Sequence, residues 1–227
     1  EYHPDPFQSP SFKAGTWTVQ DEASQLTVEL LDPQPGEQIW DVCAAPGGKT
    51  RYIAQRMKDD GLILATDVDE RKVGHLIEAI PEQAVRVRQH DALSRLDGFD
   101  TFDRVLLDAP CSALGLVRRH PEIRWRRAPK DIENCARKQR LLLDAVAAKV
   151  RPGGVLVYSV CSDMTQEGVS QIQDFLVDHR EYVLDGPSEA DEKWAACLVD
   201  GMVQLSPHRH GTDGFFMARL RRQETSS

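Results

Sequence analysis

Residues 38–57, QIWDVCAAPGGKTRYIAQRM, combine a short apolar run, a loop with two glycines and a segment that has the apolar spacing of a helix. Such a strand–loop–helix unit is the repeating element of a parallel sheet. Helical segments also follow Asp69 and run from Asp131 to about Val150. This alternation predicts a mostly parallel, doubly wound α/β sheet. Its further strands would be LILATD (62–67), VRVRQ (85–89), DRVLLD (103–108) and VLVYSV (155–160).

The two ends of the chain depart from this alternation. QDEASQLTVELL, residues 20–31, has the apolar spacing of a short helix with Asp21 as its N-cap. The runs at residues 202–205 and 215–220 predict an antiparallel hairpin near the sheet edge. RPGG, residues 151–154, is expected to end the long helix.

The composition argues against several classes of protein. No apolar run approaches the ~20 residues that cross a bilayer, and no signal peptide opens the chain, so we expect no membrane association. The five cysteines form no CxxC pair, which favours reduced thiols in a cytoplasmic protein and no bound metal. The net charge of −8 opposes nucleic-acid binding by the whole surface but allows a local basic patch. We expect a monomer.

The glycine loop DVCAAPGGKT predicts a ligand site at the carboxyl ends of the strands. Gly47 and Gly48 would let a ligand approach the backbone, and the next helix offers its N-terminal amides. Cys43 stands where a Walker loop needs glycine, and GxGxxG is absent, so a nucleoside triphosphatase is disfavoured. Asp67 ends the next strand and can accept hydrogen bonds from ribose hydroxyls, while Asp91 can reach an adenine amino group. Strand-end acids without the dinucleotide fingerprint favour S-adenosylmethionine over NAD.

Two cysteines follow the ends of predicted strands. Cys111 comes three residues after Asp108 in RVLLDAPCSALG, and Cys161 directly follows VLVYSV. These strand ends could be neighbours in a doubly wound sheet. A lone buried cysteine is usually a packing residue, as we expect for Cys135 and Cys43. Two thiols beside a cofactor crevice instead favour nucleophilic chemistry.

A methyl donor beside a thiol suits one reaction in particular. C5 of cytosine is a poor nucleophile until a thiolate adds to C6, which makes an enamine that attacks a methyl sulfonium. Loss of the C5 proton then expels the thiol. A carboxylic acid near N3 would stabilise the adduct, and Asp108 is placed for that. Because a free thiol titrates near ~8.5, the site must lower that value or deprotonate the cysteine when substrate binds.

Several motifs together resemble the Nop/Sun family of RNA cytosine-5 methyltransferases, and within it the bacterial small-subunit ribosomal RNA enzymes of the RsmB (Sun/Fmu) type. The motifs are VQDEASQL, DVCAAPGGKT, ATDVDERK, LLDAPCSALG with RRHPEIRW, RPGGVLVYSVCS and GTDGFF. The resemblance implies a class I, Rossmann-like methyltransferase fold that uses S-adenosylmethionine and modifies ribosomal RNA. Residues 1–35 would be an extension with a helix that packs on the core, 36–222 the catalytic domain and 223–227 a flexible tail. Members of this type also carry an N-terminal RNA-binding domain, so we expect a longer parent protein.

The resemblance also implies roles for individual residues. Cys161 would be the nucleophile and Cys111 would assist product release. Val160 stands where the family usually has threonine, which removes a hydroxyl beside the nucleophile. The residues implied to hold S-adenosylmethionine or the adjoining base are Cys43, Ala44, Ala45, Pro46, Gly47, Gly48, Lys49, Asp67, Arg71, Asp91 and Asp108.

A basic loop, residues 116–130, stands out from the acidic chain. Trp125 within it could stack on a base or pack on the core. Because the loop follows a predicted base-modifying site, we expect it to bind RNA. Its basic residues are Arg118, Arg119, Arg124, Arg126, Arg127 and Lys130.

Two alternatives remain open. The core motifs do not encode the RNA, so a transfer RNA cytosine-5 methyltransferase would carry the same ones. A nucleotide-binding protein without a catalytic thiol would keep the glycine loop, and its cysteines would only pack.

Overall fold

The computed structural model describes residues 6–13 and 17–224. Residues 1–5 and 14–16 of the predicted extension and 225–227 of the predicted tail lie outside them. Within the described part, nine strands form one sheet: β1 Gln38–Asp41, β2 Leu62–Asp67, β3 Val85–Gln89, β4 Phe102–Asp108, β5 Val150–Val160, β6 Tyr182–Leu184, β7 Leu198–Val199, β8 Met202–Leu205 and β9 Phe215–Arg222.

The helices surround this sheet. They are α1 Pro10–Lys13, α2 Glu22–Leu31, α3 Gly48–Arg56, α4 Glu70–Ala79, α5 Ile123–Arg126, α6 Pro129–Ala147, α7 Val169–Asp178, α8 Glu192–Ala195 and α9 Pro207–His210, with 3₁₀ turns at Pro6–Gln8 and Leu114–Leu116. Among the described residues, no helix combines the length and apolar composition needed to cross a membrane.

The sheet has the strand order β3-β2-β1-β4-β5-β9-β8-β7, and β6 pairs with β9. Strands β1 to β5 run parallel to one another. Strand β9 runs antiparallel to both β5 and β8. The predicted doubly wound sheet and its antiparallel hairpin are therefore confirmed. The two-residue strand β7, which the sequence did not indicate, forms the outer edge beside β8.

The long helix α6 begins and ends earlier than predicted. It starts at Pro129, where a missing amide proton costs nothing, and the Asp131 carboxylate accepts the Ala128 amide at 2.9 Å. It ends at Ala147, so the prediction that it reaches Val150 was wrong. Val150 instead begins β5, and the pairing register with β4 shifts before Val155. RPGG therefore forms the irregular start of a strand and does not end the helix.

Helices cover both faces of the sheet. Helices α2 and α3 pack on one face, where Leu31, Ile53 and Leu106 are buried together. Helices α6 and α7 pack on the other face, where Leu143 and Phe175 are buried together. Helix α2 begins as predicted, because the Asp21 side chain accepts the Ala23 amide at 3.0 Å.

Three parallel strands end in an aspartate at the same edge of the sheet. These residues are Asp41 of β1, Asp67 of β2 and Asp108 of β4. Strand β1 lies between β2 and β4 in the sheet. The connection after β1 leads to β2 on one side of it, and the connection after β3 crosses to β4 on the other side. This is the switch point at which doubly wound sheets open a crevice for a ligand.

Candidate functional site

The two strand-end thiols meet at this edge. Strands β4 and β5 are parallel neighbours that pair Asp108 with Ser159. The Ala109 amide donates to the Ser159 carbonyl at 2.8 Å, so the two chains stay together past the strand ends. The Sγ atoms of Cys111 and Cys161 then lie 3.2 Å apart, without a disulfide. One small group bound here could contact both thiols.

Asp108 is held from two sides. Lys49, from the first turn of α3, donates from Nζ to Asp108 Oδ2 at 2.7 Å. The Ser159 hydroxyl donates to the other carboxylate oxygen at 2.7 Å. Burial would lower the pKa of Lys49, but the charge and hydrogen bond of Asp108 hold it above the usual value. Lys49 is therefore a permanent cation beside the strand ends.

Cys111 and Cys43 both have raised pKa values. The hydrogen bond with Cys161, together with burial, raises the pKa of Cys111 well above its usual value. Burial, followed by the charges of Asp108 and Asp67, raises the pKa of Cys43 to about 12. Cys43 therefore stays protonated and packs against the core.

A cavity of about 490 Å³ opens at the ends of β1, β2 and β4. Its volume lies in the range of small-molecule sites. Asp67 and Asp91 line it at one end, and Asp108, Cys111 and Cys161 line it at the other. Asp67 is nearly buried, and its Oδ1 accepts the Asp69 amide at 3.0 Å. Residues that the sequence did not suggest also line this cavity: Val68, Lys72, His90, Ala92, Leu93, Lys138 and Leu142.

The glycine loop lies between this cavity and a second, smaller one of about 240 Å³. Cys43 and Ala45 line both cavities, whereas Ala44, Pro46, Gly48 and Lys49 line only the second. Asp108 lines both. The second cavity also contacts Asp21, Ser24, Asp41 and Arg119.

Two predicted cofactor residues do not line either cavity. Gly47 has a left-handed φ of 105°, and a Cβ there would lie 2.8 Å from Leu76 on α4. The absence of a side chain at Gly47 therefore permits the close packing of the loop on α4. Arg71 is exposed on α4, while Lys72 lines the larger cavity. Successive helical residues point about 100° apart, and of these two only Lys72 contacts the cavity.

The basic residues of the loop are all exposed, but only some of them have a partner within the protein. Arg119 donates to the buried carboxylate of Asp213, and Arg127 donates to the Ser112 carbonyl at 2.8 Å. Arg118 lies 4.0 Å from Asp213. The described residues supply no ion-pair or side-chain hydrogen-bond partner to Arg124, Arg126 or Lys130, all exposed.

Trp125 is 78% exposed, so it does not pack on the core. It stands on α5 between two of the exposed arginines. An exposed indole among cations is the arrangement that stacks on an unpaired base.

The closing motif GTDGFF holds the two cysteine segments together. The Gly115 amide donates to the Cys161 carbonyl at 3.1 Å, and the Gly214 amide donates to the Gly115 carbonyl at 2.9 Å. A Cβ on Gly115 would stand 1.9 Å from the Gly214 carbonyl oxygen, so only glycine permits this contact. Val160 is buried in the core cluster that faces α6, whereas Cys161 packs against the opposite cluster. A threonine hydroxyl at 160 would thus lie in the core.

The two remaining cysteines lie away from the cavities. Cys135 is half-buried on α6, and Cys197 is buried and bonds the Trp194 carbonyl. The described residues contain no group of three or more side chains that could hold a metal ion.

Known proteins resemble this chain over almost its whole length. A family model described as 16S rRNA methyltransferase RsmB/F matches residues 28–221. Ribosomal RNA small subunit methyltransferase B of Pectobacterium carotovorum subsp. carotovorum is 40% identical over 94% of this chain and 48% of that protein. The probable enzyme of the same name from Synechocystis sp. is 39% identical over 95% of this chain and 50% of that protein. The chain thus spans about half the length of these curated relatives.

Solved structures share the architecture. NSun6 from Pyrococcus horikoshii, determined with SFG, has a TM-score of 0.84 and 33% identity over 97% of this chain and 56% of that one. A methyltransferase homologue from the same organism has a TM-score of 0.82 and 31% identity over 97% of this chain and 73% of that one. These likenesses confirm the predicted class I methyltransferase fold.

Asp41 should make the stability of the folded protein depend on pH. Burial, partly offset by the Thr50 hydroxyl at 2.7 Å, raises its pKa to about 7, and one carboxylate oxygen has no partner. Between pH ~4 and ~7 the folded state keeps a proton that the unfolded state releases, so stability falls as pH rises through this window. Across this pH window the free energy of unfolding of the wild type should fall by up to about 4 kcal/mol relative to that of Asp41→Asn.

Urea unfolding of both proteins at several pH values measures this difference. Asp163→Asn is the control, because Asp163 is exposed and the described residues give it no side-chain partner. A constant difference between wild type and Asp41→Asn from pH 4 to 7 would contradict the assignment.

Proposed function

The chain belongs to the RsmB/F family of 16S ribosomal RNA methyltransferases, and on that premise we propose that it methylates C5 of a cytidine in small-subunit ribosomal RNA. The observation that carries the chemistry is the pair of thiols 3.2 Å apart at the ends of β4 and β5. Two thiols beside a strand-end cavity suit covalent attack on C6 of a pyrimidine and its reversal. They do not suit a protein that only binds a nucleotide.

The donor set fits S-adenosylmethionine as cofactor. The cavity has carboxylates of Asp67 and Asp91 at one end for the hydroxyls and amino group of an adenosine, and the reacting thiols at the other. NSun6 was determined with SFG, an analogue of this cofactor. S-adenosylmethionine would supply an electrophilic methyl group at the thiol end.

The chain's own residues would then act on the base. Because the pKa of Cys111 is raised, this thiol keeps its proton and can donate a hydrogen bond to the sulfur of Cys161. Cys161 forms the bond to C6, and the proton that its thiol gives up passes to N3 of the base. The Asp108 carboxylate, fixed by Lys49 and Ser159, accepts the hydrogen bond of that N3–H. After C5 is methylated and loses its proton, the bond between Cys161 and C6 breaks, and Cys111 assists this release.

The ribosomal substrate is favoured over transfer RNA by the curated relatives, which carry the name of the small-subunit ribosomal RNA enzyme. The exposed basic residues of the loop would bind the RNA backbone, and Trp125 would stack on a base next to the target. The target itself must be unpaired or flipped out before its C6 can meet a thiol. We further propose that the protein works as a cytoplasmic monomer.

Removal of the Asp67 carboxylate should weaken cofactor binding. Asp67→Ala loses hydrogen bonds to ribose hydroxyls, which should reduce the affinity for S-adenosylmethionine by about 1.5–3 kcal/mol. Titration calorimetry measures it. Asp69→Ala is the matched control, because Asp69 caps α4 in the same turn without lining the cavity. Equal affinities of wild type and Asp67→Ala would remove Asp67 from the site.

Neutralising two exposed arginines of the basic loop should weaken RNA binding. With Arg124→Gln and Arg126→Gln together, the slope of log affinity against log salt should become shallower by about 1.4–1.8, since each lost phosphate contact removes 0.7–0.9. Cofactor affinity should not change. The matched control is Arg86→Gln with Arg180→Gln, both exposed elsewhere. A slope equal to that of the wild type would exclude the loop from the RNA interface.

Replacement of Cys161 and replacement of Cys111 should stop the reaction at different steps. Cys161→Ala cannot form the covalent bond, so it should bind RNA only reversibly. Cys111→Ala should form the adduct, accept the methyl group and stall. Denaturing electrophoresis with labelled ribosomal RNA should then show a protein–RNA band from Cys111→Ala alone. Cys135→Ala, whose thiol lies on α6, should turn over normally.

A different distribution of the protein–RNA band between the two variants would change the assignment of the cysteines. A trapped band from Cys161→Ala alone would exchange the two roles. No band from either variant, with turnover retained, would reduce both cysteines to packing residues.

A further inference from the structure

Each active-site cysteine is followed by a serine, and both serines bond the same carboxylate. The hydroxyl of Ser112 donates to Glu167 Oε2 at 2.5 Å, and that of Ser162 donates to the same oxygen at 2.6 Å. Ser112 and Ser162 are themselves 3.3 Å apart between hydroxyl oxygens. The two cysteine segments, distant in sequence, thus share one acceptor.

The other oxygen of Glu167 completes the contact. Oε1 accepts the Ser112 amide at 2.8 Å and the Gln139 side chain at 3.1 Å. Gln139 also donates to the Pro110 carbonyl at 3.0 Å, so it touches the residue before Cys111. On the backbone side, Tyr158 donates its hydroxyl to the Glu167 carbonyl at 2.6 Å.

Glu167 is fully buried, and among the described residues no lysine, arginine or histidine forms a salt bridge with it. A buried carboxylate is costly unless hydrogen bonds replace its water. Here four donors come from the segments that carry the thiols and from α6. Glu167 does not line the larger cavity, so it cannot touch a ligand there. Its charge serves the surrounding segments rather than a substrate.

We propose that Glu167 is a positioning residue that sets the separation of the Cys111 and Cys161 thiols by holding the serine after each of them. This role rests on the proposed function, in which Cys161 attacks and Cys111 releases the same base. Anchoring Ser112 by both its amide and its hydroxyl fixes the turn that carries Cys111. Anchoring Ser162 by its hydroxyl fixes the turn that carries Cys161.

Glu167→Ala removes the shared acceptor and tests this role. A displacement of a reacting group by about 1 Å costs on the order of 100-fold in rate, so kcat should fall about 100-fold while KM for S-adenosylmethionine stays within about twofold. Glu167→Gln keeps an oxygen for the Ser112 amide and an amino group that can bond both hydroxyls. It should therefore recover most of the lost rate. Labelled methyl transfer to small-subunit ribosomal RNA measures both.

Gln171→Ala is the matched control. Gln171 is also buried and lies on α7, four residues after Glu167. Its side chain donates to the Ala136 and Gln166 carbonyls and contacts neither cysteine segment. Its loss should lower the melting temperature without a comparable fall in kcat. An equal fall in kcat in both variants would show that general loosening, and not the contact with Glu167, limits the rate, which would overturn the proposal.

A second readout requires neither RNA nor cofactor. Because the bond to Cys161 is the largest cause of the raised pKa of Cys111, separated thiols should shift the midpoint of Cys111 alkylation by iodoacetamide to lower pH. Mass spectrometry of the Cys111 peptide follows it. The shift is expected in folded Glu167→Ala and absent in Gln171→Ala. An unchanged midpoint in folded Glu167→Ala overturns the proposal, even if the protein methylates RNA.

Smaller changes keep the test valid if Glu167→Ala fails to fold. Ser112→Ala and Ser162→Ala each remove one donor, and each should lower the Cys111 midpoint relative to Ser170→Ala, a serine nearby on α7 whose hydroxyl bonds neither segment. Midpoints equal to the control overturn the proposal. A wild type that transfers no methyl group refutes the proposed function alone and leaves the alkylation result to decide the role of Glu167.

Discussion

The parallel pairing of β4 with β5 is the contact on which the site depends. It sets Asp108 opposite Ser159 and continues past the strand ends through the bond between the Ala109 amide and the Ser159 carbonyl. Both chains then turn away with a cysteine in the turn. A shift of one residue in this pairing would move every side chain of β5 to the other face. Such a shift would separate the thiols and bury the wrong side chains.

The carboxylates at this edge repel one another, and the structure relieves the repulsion in different ways. Lys49 neutralises Asp108 and is itself held charged by it. Asp41, buried behind the glycine loop, has a pKa near 7 and so keeps its proton at acidic pH. Asp67, at the end of β2, accepts the amide of Asp69, the residue that caps α4. At acidic pH the proton on Asp41 therefore removes one negative charge from this edge, while Lys49 balances the charge of Asp108.

The sequence predicted what depends on local pattern and on the geometry of parallel sheets. Apolar runs located most strands, and strand ends at one edge brought Cys111 near Cys161. It could not predict contacts between distant segments, such as Glu167 with Ser112, 55 residues away, or Arg119 with Asp213, 94 residues away. Those contacts depend on which side chains face each other after folding. The sequence feature that could have suggested the Glu167 contact is the serine that directly follows each of Cys111 and Cys161.

The loop that would bind RNA is continuous with the segment that carries Cys111. Arg127, at the end of α5, donates to the carbonyl of Ser112, the residue after Cys111. Arg119, earlier in the loop, is fixed by Asp213 of the motif that also holds Gly115. These two arginines are therefore part of the scaffold around the thiols. An RNA that binds the remaining basic residues would therefore contact the same loop that holds the Cys111 segment in place.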